Sequence, residues 1–175
     1  MRSHTTAGDD GKGEICMVRI GVTGHTNVTP TTEPLVYTAI GAVLAPYAAA
    51  ELVGVSCLAR GADSVFAKAV LAAGGRLEVV LPSRNYRAAQ VRPDHAGLFD
   101  ELVERATAVR VMDFDEAGSE AYEAANEAML ASCDRLIAVW DGAAGQRGGT
   151  GSVVALARQR NVPVEIVWPD GAARG

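Results

Sequence analysis

Apolar and polar positions along the chain alternate between two periods. Short, nearly unbroken apolar runs fall at 17–23, 52–57, 77–81, 109–112, 135–140 and 164–168. Between them, apolar residues recur at helical spacing: Leu35, Val36, Ile40, Val43, Leu44 and Tyr47; then Ala62, Val65, Phe66, Ala69, Val70 and Ala73. Leu98, Leu102, Val103 and Ala106 mark a third helix, Tyr122, Ala125 and Met129 a fourth, and the stretch from Ser152 to Asn161 a fifth. Pro34 is tolerable in a first turn, Gly74 and Gly75 stop the second helix, and Ser119 is placed to cap the fourth. The segment 83–93, with Arg84, Arg87 and Arg92, reads as a polar connection. Six strands alternating with five helices predict an α/β domain, a Rossmann-like three-layer sandwich with a mostly parallel, about six-stranded sheet. Val, Ile and Leu without alternation suit strands covered on both faces.

Right-handed crossovers place every strand-to-helix turn at one sheet edge, where such folds take ligands. Three of those turns carry polar chemistry and are expected to share one crevice. The first is Gly148-Gly149-Thr150-Gly151-Ser152, preceded by Arg147, where a strand meets a helix. Glycines admit close approach, a helix start offers unpaired N–H groups, and the hydroxyls and Arg147 can contact phosphate oxygens. The second is Gly24 with Thr23, His25 and Thr26; it lacks the dinucleotide fingerprint GxGxxG, which argues against NAD-dependent redox chemistry. No neighbouring carboxylate pattern marks His25 as a catalytic base. The third is Arg60-Gly61-Ala62-Asp63. Arg60 can clasp a phosphate, and Gly61 can admit the ligand or pack closely. Asp63 either balances a helix dipole or holds a ribose hydroxyl. Asn126 leans inward and needs a hydrogen-bond partner. Glu123 and Glu127 share a helix face and read as solvated charges.

Composition narrows the functions. The 175 residues are 49% apolar and 21% charged, with a net charge of −5. That balance predicts one soluble domain and argues against a general nucleic-acid binder. Cys16, Cys57 and Cys133 are odd in number and widely spaced, so neither a disulfide framework nor a metal site is expected. No apolar run reaches bilayer length, and 1–14 lacks the apolar core of a signal peptide. The expectation is a cytoplasmic protein with a polar, disordered tail at 1–14, a single domain over 15–170 and a loose end at 171–175. A homodimer or higher homo-oligomer is expected, packing through the small residues of 48–50 and 121–131.

Two segments resemble known families. Residues 56–63, Ser-Cys-Leu-Ala-Arg-Gly-Ala-Asp, continuing through Gly74-Gly75 to Leu81, resemble the DNA-processing protein A pattern. Residues 129–139 followed by Gly148-Gly149-Thr150-Gly151 resemble the LOG cytokinin-activating proteins. Both families belong to the SLOG superfamily, which also includes molybdenum-cofactor carrier-like proteins, and the resemblance spans about 17–168. It implies a Rossmann-like sheet with a nucleotide or nucleotide-derived ligand at the glycine loop, and no cofactor beyond that ligand. LOG enzymes cleave nucleoside monophosphates with an arginine and a glutamate. Their positions here are Ala125 and Ala155, so the resemblance implies a sensor or carrier more than LOG catalysis. The alternative is an N-glycosidase (phosphoribohydrolase) in which Asp63 or Glu127 substitutes for the missing carboxylate. Single-stranded DNA binding fits the acidic composition, with Lys12 and Lys68 the only lysines, poorly.

Overall fold

The computed structural model describes residues 15–145 and 148–175; the expected tail at 1–14 and Arg147 lie outside them. In chain order the elements are β1 (Val18–Gly24), α1 (Glu33–Leu44), β2 (Leu52–Ser56), α2 (Ala62–Ala72), β3 (Arg76–Leu81), α3 (Tyr86–Gln90) and α4 (Pro93–Arg105). They continue with β4 (Ala108–Val111), α5 (Ser119–Ser132), β5 (Arg135–Val139), α6 (Thr150–Gln159) and β6 (Val164–Val167). The strands form one sheet in the order β4-β3-β2-β1-β5-β6, and every pairing is parallel. The chain therefore winds outward from β1 through β4, then returns to lay β5 on the other side of β1. That reversal makes the gap between β1 and β5 the switch point, outside whose carboxyl ends a ligand crevice forms.

Each strand sends alternate side chains to opposite faces. Ile20, Val22, Leu52, Ile137 and Val139 pack with Val36 and Ile40 of α1 and Phe66 and Val70 of α2. Val53, Val55 and Leu136 point the other way, onto Met129 and Leu130 of α5 and Val153 of α6. A further cluster joins Leu77 and Val79 to Tyr86, Phe99 and Leu102, which seats α3 and α4 beside the sheet. No described helix is long and apolar enough to cross a membrane.

Four local readings change. The connection 83–93 contains the short helix α3, and α4 starts at Pro93, well before Leu98. Proline's fixed φ suits a first helical position, and Asp94 follows it in the first turn. Gly118, not Ser119, is the N-cap residue of α5. The end at 171–175 is held: Gly175 N–H donates to Asn27 O at 2.8 Å, Ala173 N–H to Thr32 Oγ1 at 2.8 Å, and Arg174 bridges to Val28. Finally, Ala121 and Ala125 are buried, so that face of α5 is occupied by the core and offers nothing to a second copy. Residues 48–50 remain exposed.

Candidate functional site

A cavity of about 810 Å³ opens at the carboxyl ends of β1 and β5. Its wall includes Thr23, Gly24 and His25 from the first turn, Asp63 from the second, and Gly148 to Gly151 from the third. The three turns therefore meet at one crevice. Two close approaches bring this about. A Cβ on Gly24 would sit 2.4 Å from Ala62 Cβ, and one on Gly61 would sit 2.6 Å from His25 O. Gly61 also has φ +79°, a conformation side chains disfavour, and Ala62 N–H donates to His25 O at 3.1 Å. Gly61 thus clamps the β2–α2 turn onto the β1–α1 turn; it is not part of the cavity wall.

The glycine loop ends at Gly149, the N-cap residue of α6, which has no side-chain cap. Ser152 and Val153 donate to Gly149 O at 3.0 and 3.2 Å. Among the described residues, the amides of Thr150 and Gly151 meet no acceptor. They carry the positive end of the α6 dipole to the cavity. Gly148 has φ +82° with open space where a Cβ would stand. Ser152 is placed differently from expectation. Its Oγ accepts the Gly148 N–H at 3.3 Å, and it lines a neighbouring groove.

Other expected site residues separate. Arg60 pairs with Asp94 of α4 at 3.2 Å, half exposed, and lines an adjoining cavity beside Arg92 and His95. It is absent from the wall of the cavity that holds the glycine loop. Glu127 is on the surface, paired with Arg160 at 3.4 Å. Asp63 stays at the cavity, 7% exposed, with Oδ2 accepting the Ala59 N–H at 3.3 Å. Burial pushes its carboxyl up to about 7, against backbone hydrogen bonds from Ala59 and Cys57 that pull it down.

A further group was not legible along the chain. His25 Nε2 lies 3.0 Å from Asp141 Oδ1, both largely covered. The backbone N–H of Ala143 holds the Asp141 carboxyl below the usual range, with His25 and Arg174 adding to it. Arg174 Nε lies 2.9 Å from Asp141 Oδ2, and Trp168 meets the His25 ring edge-on at 5.4 Å. The dyad arises because Gly24 and Val139 are register partners, so the residues just past them face each other. Arg174 is the one arginine among the described residues that lines this cavity. Among the same residues, no three His, Cys, Asp or Glu side chains gather as a metal site.

No protein-family model matches the chain, and no curated protein matches it. Solved structures do. DNA processing protein A from Streptococcus pneumoniae superposes with a TM-score of 0.65 at 19% identity, over 89% of this chain and 52% of that one. The Helicobacter pylori protein of that name, described with a single-stranded DNA binding mode, gives 0.65 at 18%, over 91% of this chain and 69% of its own. A molybdenum cofactor binding protein from Rippkaea orientalis gives 0.57 at 24%, over 90% and 80%. The chain spans about half the length of the Streptococcus protein. Its fold is the Rossmann-like fold of these proteins.

Proposed function

We propose that this chain, built on the fold it shares with DNA processing protein A and molybdenum-cofactor carriers, is a cytoplasmic binding protein for an anionic, nucleotide-type small molecule. The observation that carries this reading is the pair of Thr150 and Gly151 amides facing the switch-point cavity without an acceptor among the described residues. An anion there gains hydrogen bonds and the helix dipole at no cost in side-chain order. The cavity volume lies within the range of small-molecule sites, roughly 300–1,000 Å³. Thr23 and Thr150 add hydroxyl donors, and Arg174 a cation. The overall charge of −5 opposes binding of a long polyanion but not of one phosphate at the α6 N-terminus.

Purification under non-denaturing conditions, followed by mass spectrometry of released small molecules, tests this directly. A phosphorylated compound at near-equal ratio to protein, lost in a Thr150→Pro, Gly151→Pro variant that still folds, is the expected result. Tight oligonucleotide binding with a steep salt dependence would replace this reading with a DNA-binding one.

The His25–Asp141 pair favours a second reading, in which the bound molecule is also turned over. An ionised carboxylate holding one ring nitrogen leaves the other free to move a proton. Release of base from a nucleoside monophosphate panel, abolished by His25→Gln, would establish it. A homo-oligomer, tested by light scattering, completes the proposal.

A further inference from the structure

Three side chains at the cavity have uncommitted hydrogen-bonding groups. Tyr86 of α3 is only 5% exposed, yet its hydroxyl has no partner among the described residues. Among those residues, no fully buried side-chain N or O lacks a partner. The Tyr86 hydroxyl must therefore open onto the space its residue lines, which is the switch-point cavity and the smaller one adjoining it. Tyr122 and Asn126, one turn apart on α5, line the same cavity, and their polar ends also have no protein partner among the described residues. The two tyrosine rings meet edge to face at 6.2 Å. Burial pushes the pKa of both phenols up, so they stay protonated and remain donors at neutral pH. The ionisable groups acting on Tyr86 are Asp63, Tyr122 and Cys57, none of them cationic, while Arg60, Arg92 and His95 line the adjoining cavity that both tyrosines also border.

With the Asp63 carboxyl as the charged group acting on Tyr86, the switch-point side of this corner does not suit a second phosphate. It suits a flat, neutral, heteroatom-rich group. A planar amide presents one acceptor and two donors side by side, the complement of a ring nitrogen next to an exocyclic oxygen or amine. Tyrosine hydroxyls give and accept in turn, and their rings supply apolar walls. We propose that Tyr86, Tyr122 and Asn126 read the hydrogen-bonding edge of a nucleobase-type nitrogen heterocycle whose phosphate end rests on the α6 amides. The proposal rests on the anion site described above, and its test separates the two.

The probes are AMP, GMP and ribose 5-phosphate, titrated calorimetrically into the full chain, its Tyr86→Phe variant and its Asn126→Ala variant. Tyr86→Phe keeps the ring and removes only the hydroxyl. At least one nucleotide is expected to bind roughly tenfold or more tighter than ribose 5-phosphate. Each variant is expected to weaken that nucleotide roughly five- to tenfold while leaving ribose 5-phosphate within about twofold. Equal binding of nucleotides and sugar phosphate, or equal weakening of both by the variants, overturns the proposal. If no phosphate ester binds but adenosine or guanosine does, and the variants weaken it, the heterocycle corner stands and the anion site falls. If none of the five compounds binds, both fall.

Discussion

Asp63→Asn isolates the cost of keeping a carboxyl under the cavity floor. The folded chain holds the Asp63 proton up to about pH 7, whereas an unfolded chain releases it near 3.8. Between those values the native state binds more protons than the unfolded one, so stability from this group is greatest at low pH. It falls as pH rises from about 4 to about 7 and then levels off. Three pH units at about 1.4 kcal/mol each set a ceiling of about 4 kcal/mol. Water reaching one side of the carboxyl through the cavity lowers the expected figure to about 2 kcal/mol. Asparagine keeps a carbonyl oxygen for the Ala59 N–H and has no proton to lose. Urea unfolding of both proteins at pH 4.5, 6 and 8.5 cancels every other titrating group in the difference. Asp63→Asn is expected to gain on the parent by about 2 kcal/mol between the lowest and highest pH. A difference that stays flat with pH, or that runs the other way, refutes the reasoning.

Gly61→Ala adds a Cβ 2.6 Å from a backbone oxygen at φ +79°, and is expected to destabilise by about 2–4 kcal/mol in the same assay. Glu78→Gln breaks the fork with Arg19, whose hydrogen bond, and then its charge, lowers the Glu78 pKa. The loss is expected to be about 1–2 kcal/mol at pH 7 and to vanish as pH falls through the carboxylate range, read by chemical denaturation. Thiol labelling is expected to modify exposed Cys16 at once. Cys133, pushed up to about 11 by burial, and Cys57, pushed higher still, are expected to react only on unfolding.

The inner strands were legible because they are buried on both faces and so read as unbroken apolar runs; Leu136 to Val139 is the clearest case, whereas the edge strand β4 is exposed throughout. The crevice was legible because parallel crossovers put Gly24, Asp63 and Gly148 at one edge whatever the strand order. Pairwise partners were not. Arg60 faces Asp94 across 34 positions because α4 begins at Pro93, a residue that also reads as the end of a connection. His25 and Asp141 are 116 positions apart, and only the adjacency of β1 and β5 joins them. Had that strand order been known, two polar residues just beyond neighbouring strand ends would have been the signal. Tyr86 lay hidden because five helical residues between prolines carry too little periodicity to read. Residues 171–175 are glycines and alanines apart from Arg174, and what holds them is hydrogen bonding to 27–32, which composition does not encode.

The first turn of α6 is proposed to bind an anion in the switch-point cavity. Amide chemical shifts of ¹⁵N-labelled protein, followed during titration with AMP and separately with adenosine, test it most directly. The Thr150 and Gly151 N–H resonances are expected to move to lower field with AMP and to stay in place with adenosine. Unmoved Thr150 and Gly151 amides with AMP bound, or shifts centred on Arg60 and Arg92, would contradict it.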